Sequence, residues 1–111
     1  MVKIFKALSD PNRLRILKML QIRSLCVCEV RDILNLANST VSKHLTVLRD
    51  AELILDEKDG KWVNYRLNRD SSDKYVAELL PLLAQWLPDD TVIRNDAQKV
   101  CVVNRDHICA T

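Results

Sequence analysis

The sequence of 111 residues is poor in glycine and contains no long apolar run. Gly60 is its only glycine, so it has no glycine-rich phosphate loop and little scope for long flexible loops. No apolar stretch approaches the roughly 18 residues that a membrane-spanning helix needs. The start, MVKIFKALSD, does not resemble a signal peptide, because its apolar stretch is short and interrupted by lysines. We therefore expect a cytoplasmic protein.

The composition indicates one globular domain. Hydrophobic residues make up 48% of the chain and charged residues 29%, an ordinary balance for a folded protein of this length. The net charge of +2 is only mildly basic. It permits nucleic-acid binding without arguing for it, so that function has to be inferred from the pattern of residues.

Four cysteines in so short a chain first suggest a disulfide framework. The sequence shows no secretion signal, and cytosolic thiols are kept reduced, so a disulfide framework is not the expected use of these cysteines. Metal binding or redox chemistry is the better explanation. There is no CxxC motif and no Cys–His–acid pattern, so we do not expect an enzyme such as a thiol reductase.

The first half of the chain is helical in pattern. Asp10 and Pro11 suit the start of a helix, with an aspartate at the cap and a proline in the first turn. Apolar residues then recur on one face up to about Gln21, which indicates a buried helix. A shorter helix is expected before it, around residues 4–8.

Two further helices form a helix-turn-helix pattern. Ser24 is a plausible cap for the third helix, and a break follows at residues 35–38. The fourth helix starts at Asn38 or Ser39. Two helices of about ten residues joined by a short turn are typical of this motif. The apolar stripe of the fourth helix consists of Val41, Leu45 and Leu48.

After Ala51 the pattern changes to that of strands. Residues 53–55 and 61–67 are rich in strand formers, and Asp59 and Gly60 lie between them as a hairpin turn. A hairpin directly after a helix-turn-helix is a wing. The predicted fold is therefore mainly α with a small β-hairpin (α+β), a winged helix-turn-helix.

An apolar helix is predicted for residues 72–87, and Pro81 is expected to kink or divide it. Its apolar surface exceeds what one small core covers, which suggests a homodimer interface. Residues 1–87 are thus predicted to form the winged domain with terminal dimerisation helices. Residues 88–111 form a C-terminal tail that carries Cys101 and Cys109, with one short helix around residues 96–103. The predicted interface residues are Leu79, Leu82, Leu83 and Trp86.

The outward face of the fourth helix is suited to the major groove of DNA. Short hydroxyl side chains and a lysine reach phosphates and base edges without holding the helix away. The alternative is an ordinary solvated face, because several nearby acidic residues offset the positive charge. His44 lies near the apolar edge and is interpreted as a structural histidine. The predicted DNA-binding residues are Ser39, Thr40, Ser42, Lys43 and Thr46 on the helix, with Lys58 and Lys61 beside the hairpin turn.

Four segments carry a family resemblance. ALSDPNRLRIL (7–17), LCVCEV (25–30), STVSKHLTVLRDAELI (39–54) and GKWVNYRL (60–67) together resemble the ArsR/SmtB family of metal-responsive repressors. The LCVC element is similar to that of the arsenic- and cadmium-responsive members. The resemblance implies a homodimer built from the first and last helices, an inverted-repeat operator, and release of DNA when a thiophilic ion binds.

The cysteines match the family's arsenic site in part. Its pattern is Cys-x-Cys-x-x-Cys, and here Cys26 and Cys28 fill the first two positions while Arg31 stands at the third. The family's zinc site on the last helix has no counterpart, because residues 72–87 contain no histidine. A third sulfur would have to come from Cys101 or Cys109, within one subunit or across the dimer, and we expect Cys101 because it lies closer to the helical body.

Thiolates select soft or borderline ions. The expected inducer is arsenite or antimonite, with cadmium, lead or zinc as further candidates. On an undistorted helix Cys26 and Cys28 would lie about 200° apart, so binding one ion through both would strain the helix start. Three alternatives stay open: a redox or persulfide sensor that uses the same thiols, inert buried cysteines, and an interaction module that does not bind DNA.

Overall fold

The computed structural model describes residues 2–105, which form six helices and three strands. In chain order these are α1 (Val2–Leu8), α2 (Pro11–Leu20), β1 (Leu25–Cys26), α3 (Val27–Leu34), α4 (Asn38–Asp50), β2 (Ile54–Asp59), β3 (Trp62–Leu67), α5 (Lys74–Gln85) and α6 (Thr91–Val102). None of the helices in this range is long and apolar enough to cross a membrane.

The start of α2 follows the predicted capping chemistry. Asp10 is the N-cap, and its carboxylate accepts hydrogen bonds from the backbone N–H groups of Asn12 (2.8 Å) and Arg13 (3.3 Å). Pro11 takes the first helical position, where a missing N–H costs nothing. The apolar face of the helix lies in the centre of the core.

The helix-turn-helix prediction is confirmed. Three residues separate α3 from α4, and the first of them, Asn35, ends α3 in the left-handed conformation with φ 56°. Asparagine tolerates this conformation better than most residues, so the chain turns sharply there. The stripe predicted for α4 is fully buried, with Val41, Leu45 and Leu48 all at 0% exposure.

The sheet has three strands rather than the predicted two. The strand order is β1-β3-β2, and β1 pairs antiparallel with β3 through Leu25 opposite Tyr65 and Cys26 opposite Asn64. Ser24 is therefore not the cap of α3; the N-cap is Cys26. A strand of two residues has no alternating pattern of its own, which is why the sequence did not indicate it.

The wing turn differs from the prediction by one residue. Asp59 pairs with Trp62, so the two-residue loop consists of Gly60 and Lys61. Gly60 has φ +61°, a conformation that two-residue hairpin loops need and glycine adopts without a steric cost.

Helix α5 is continuous across Pro81 and is capped at its start by Asp73. Its core face includes Leu83, which is fully buried within the single chain, so the prediction of Leu83 as an interface residue is wrong. Leu82 and Trp86, in contrast, are 48% and 45% exposed. Leu79 is half-buried against the core.

Helix α6 begins at Thr91, earlier than the sequence predicted. It packs against α2 through an ion pair in which the Arg15 guanidinium donates to both carboxylate oxygens of Asp96, at 2.8 and 2.9 Å. Asp96 is buried, and leaving such a carboxylate without its partner costs about 3–5 kcal/mol. The pair therefore fixes where α6 lies on the core.

Candidate DNA interface and cysteine site

Helix α4 presents a polar face to solvent beside its buried stripe. The α4 residues predicted to bind DNA all lie on that face: Ser39, Thr40, Ser42, Lys43 and Thr46 are exposed. The Thr46 hydroxyl donates to the Ser42 carbonyl oxygen at 2.9 Å, which keeps that side chain close to the helix surface. The face is thus free of bulky side chains around Lys43.

The wing continues this surface. Lys58 and Lys61 are both exposed beside the hairpin turn, and the Lys61 ammonium lies 4.7 Å from the centre of the Trp62 ring. The two lysines stand on the hairpin that follows α4, at the end of β2 and in the turn.

The acidic residues of the wing are each paired with an arginine. Asp56 pairs with Arg49 at 2.9 Å, Glu57 with Arg66 at 3.5 Å, and Asp59 with Arg105 at 2.8 Å. Within residues 2–105, Lys43, Lys58 and Lys61 form no ion pair. These three lysines are available to contact phosphates, while Asp50 and Glu52, at and just after the end of α4, are exposed acidic residues.

Two contacts fix the orientation of α4. The Arg49–Asp56 pair joins the end of α4 to β2. His44 is half-buried, and its Nδ1 lies 3.2 Å from Nη1 of Arg13, which also donates to the Lys6 and Ala7 carbonyl oxygens at the end of α1. Since arginine can only donate, Nδ1 accepts. The interpretation of His44 as a structural histidine is confirmed.

Cys26 lies at the junction of sheet and helix. Its backbone is extended, with φ −89° and ψ 169°, and its side chain is buried. Its N–H donates to the Glu29 carboxylate at 3.0 Å, the reverse half of a capping box. Burial is the largest cause of a raised pKa for the Cys26 thiol. The Glu29 charge adds to it, and backbone N–H groups partly oppose it.

The other cysteines are distributed differently. Cys28 lies half-buried in the first turn of α3 and is disulfide-bonded, while Cys101 is exposed on α6. Cys109 lies outside the described residues. Cys26 and Cys28 thus both lie at the start of α3, two residues apart in the chain. In residues 2–105 no group of three metal-ligating side chains is assembled.

Sequence reasoning missed Glu29 and Arg23. Glu29 is 4% exposed, and Arg23 donates to it at 3.1 Å. The signal was present in the spacing Cys-x-x-Glu, since a capping box places an acid three residues after the N-cap. Cysteine is an unusual N-cap, so the motif was not recognised.

A helix-turn-helix followed at once by a hairpin defines a winged helix-turn-helix DNA-binding fold. The family model for bacterial regulatory proteins of the arsR family matches residues 10–55. The chain is 32% identical to the arsenical resistance operon repressor of Escherichia coli K12, over 98% of this chain and 95% of that protein. It is 37% identical to the arsenic resistance transcriptional regulator ArsR2 of Pseudomonas putida KT2440, over 96% and 94%.

Among solved structures, reduced HlyU of Vibrio cholerae N16961 superimposes with a TM-score of 0.65 at 33% identity, covering 79% of this chain and 88% of that one. The chain belongs to the ArsR family of bacterial regulatory proteins. It is a DNA-binding transcriptional regulator and not an enzyme.

Replacing Lys43 with Ala is expected to weaken operator binding and to reduce the slope of log K against log salt by about one, because one phosphate contact is lost. The measurement is a fluorescence-anisotropy titration at several salt concentrations. Lys99→Ala, an exposed lysine on α6, is the matched control and is expected to bind as the wild type does. An unchanged slope in the Lys43→Ala protein would contradict this placement.

Proposed function

We propose that this protein is a homodimeric repressor that leaves an inverted-repeat operator when arsenite or a related soft ion binds at Cys26 and Cys28. The observation that carries the proposal is the position of Cys26. It lies in β1, which is hydrogen-bonded to wing strand β3, and it is also the N-cap of α3 in the helix-turn-helix. A change at this residue reaches the wing through β3, and it reaches α4 through α3, which packs against α4.

Dimerisation is supported by exposed apolar side chains on α1 and α5. Their exposed fractions are large for apolar residues: Phe5 is 65% exposed, Leu82 48% and Trp86 45%. Leu82 and Trp86 lie four residues apart, and exposed apolar patches mark interaction surfaces in soluble proteins. We take the occupant to be a second copy of the chain, because a two-fold dimer presents two reading helices to the two half-sites of an inverted repeat.

DNA binding is assigned to α4 and the wing. Lys43 stands in the middle of the exposed α4 face, and Lys58 and Lys61 extend the positive surface along the hairpin. The helix would enter the major groove while the wing lysines contact the neighbouring backbone. The remaining proposed contacts are made by Ser39, Thr40, Ser42 and Thr46.

The site couples to DNA binding through the backbone. Cys26 is extended and paired with Asn64, whereas Cys28 is helical. An ion that draws both sulfurs to bonding distance must alter the β1–β3 pairing, the first turn of α3, or both. Because α3 packs against the reading helix α4, that change lowers the affinity for DNA. A tail cysteine, Cys101 or Cys109, supplies the third sulfur that trivalent arsenic prefers.

The protonation of Cys26 favours arsenite over divalent ions. At neutral pH arsenite is the uncharged acid As(OH)₃. Each thiol that replaces a hydroxide gives its proton to that hydroxide, which leaves as water, so no proton is released to solvent. Binding Cd²⁺ through the same thiol requires that the proton be lost. A thiol whose pKa is raised by burial therefore disfavours cadmium and leaves arsenite binding unaffected.

Replacing Leu82 with Glu is expected to give a folded monomer that has lost operator binding, since a single half-site contact is too weak. The measurements are sedimentation velocity, far-UV circular dichroism and operator titration. Val102→Glu, which changes an exposed apolar residue near the end of α6, is the matched control and is expected to stay dimeric. A wild-type protein that sediments as a monomer at micromolar concentration would contradict the dimer.

Replacing Cys26 or Cys28 with Ser is expected to preserve operator binding and to abolish release by arsenite. Cys101→Ser and Cys109→Ser identify the third ligand, because only the variant that removes it weakens release. The measurement is an arsenite titration of the reduced protein–DNA complex. Since Cys26 is buried, Cys26→Ala is included to separate loss of the ligand from misfolding. Normal release by Cys28→Ser would remove the Cys-x-Cys element from the site.

The affinities for arsenite and for cadmium are expected to depend differently on pH. Between about pH 6 and pH 8, below the ordinary thiol pKa of about 8.5, the arsenite affinity stays nearly constant. Because the folded pKa of Cys26 is raised, its thiol stays protonated over this window, so the cadmium affinity rises by up to about tenfold per pH unit for that proton. Equilibrium dialysis of the reduced protein measures both. An arsenite affinity that rises steeply with pH would contradict the argument.

The disulfide at Cys28 favours a second candidate, a repressor released by oxidation or persulfide transfer. Oxidation and ion binding compete for Cys28, since a thiol held in a disulfide cannot bind an ion. Titration of the reduced complex with disulfide and persulfide donors tests it. Release by these donors and by no ion would establish the redox function in place of the arsenite function.

A further inference from the structure

The chain that follows α6 binds the tip of the wing. Arg105 donates from Nη2 to the Asp59 carboxylate at 2.8 Å and from Nη1 to the Asn64 side-chain oxygen at 3.0 Å. Its guanidinium carbon also lies 4.2 Å from the centre of the Trp62 ring. One side chain thus contacts β2 and β3 simultaneously, on both sides of the hairpin turn.

The other end of this segment is held at the start of α3. Arg23 donates to the Val100 and Val103 carbonyl oxygens at the end of α6, at 3.0 and 2.9 Å, and to the buried Glu29 carboxylate at 3.1 Å. Glu29 in turn accepts the backbone N–H of Cys26. The contacts encircle a polar cleft of about 380 Å³.

We propose that residues 103–105 form a strap that holds the wing in its DNA-binding position, with Arg105 as the positioning residue. The strap closes a ring of contacts from Cys26 through Glu29 and Arg23 to the wing. The ring then returns to Cys26 through the β1–β3 pairing with Asn64. The third strand, β1, pairs with the wing only at Tyr65 and Asn64, so the tip of the hairpin beyond them extends as two strands, which have little stability of their own.

The contact between the strap and the wing is an ion pair. The Asp59 hydrogen bond is the largest cause of a raised pKa for Arg105, and desolvation partly opposes it. Arg105 in return lowers the pKa of Asp59. The Asp59–Arg105 contact is therefore present at neutral pH and is lost only as the pH falls through the lowered pKa of Asp59.

The strap also explains how occupancy of the cysteine site reaches the wing; this part depends on the proposed function. A displacement of β1 or of the first turn of α3 moves Glu29, and Glu29 holds Arg23 at the base of the strap. Arg105 can then no longer donate to both Asp59 and Asn64. The wing lysines lose their position relative to α4, and the operator is released.

The test compares Arg105→Ala and Arg105→Lys with Arg94→Ala, an exposed arginine on α6 that controls for net charge. Hydrogen exchange of the wing amides is measured without DNA or ion. Operator affinity is measured over a salt series, and arsenite release on the same complexes. All variants are first checked for dimer content and helix content.

In both Arg105 variants the wing amides are expected to exchange hydrogen at least about threefold faster than in the wild type. In Arg94→Ala they are expected to exchange at the wild-type rate. Operator affinity falls about five- to tenfold for Arg105→Lys with an unchanged salt slope, because lysine keeps the charge but cannot contact both acceptors and the ring. Adding arsenite to the Arg105→Lys complex is then expected to lower the operator affinity by a smaller factor than in the wild type.

Wild-type affinity and wing exchange in Arg105→Lys would overturn the strap and indicate that Arg105 acts only as a charge. If arsenite fails to release the wild-type complex, the proposed inducer is wrong, while exchange and affinity still decide the strap. Full arsenite release from Arg105→Ala, with wing exchange already fast, would overturn the part of the proposal in which the strap transmits occupancy.

Discussion

The pairing of two residues, Leu25 and Cys26, with the wing strand β3 is the constraint on which the rest of the structure depends. It forces the chain to be extended immediately before α3, so Cys26 caps the helix instead of lying within it. It also turns the wing from an isolated hairpin into part of a three-stranded sheet that is joined to the helix-turn-helix. The cysteine segment and the wing therefore belong to one hydrogen-bonded sheet.

The ion pairs around this sheet fall into a buried group and an exposed group. Inside, the buried carboxylates of Glu29 and Asp96 are each satisfied by an arginine, and these two pairs hold α6 against α3 and α2. Outside, exposed pairs neutralise the acidic residues of the wing, and within residues 2–105 Lys43, Lys58 and Lys61 are in no ion pair. The exposed pairs add little stability, but they determine which charges face outward.

Much of the fold could be predicted from local patterns. The cap at Asp10, the apolar stripe of α4 and the wing hairpin depend on neighbouring residues, and all were found. The cysteine pair and the exposed face around Lys43 were also identified, because residue type and helical spacing are local properties. Leu83 was assigned wrongly, since an amphipathic pattern does not show whether a residue faces its own core or a partner.

The sequence by itself determined the family, the order of the helices and the wing hairpin, and the residues proposed for DNA and ion binding, because these follow from composition and from short periodic patterns. Only the tertiary structure decided that Cys26 belongs to a strand, that Arg23 joins α3 to α6, and that Arg105 reaches the wing. Each of these contacts joins residues or elements far apart in the chain. Local propensity carries no information about such pairs, whose existence depends on how the helices pack.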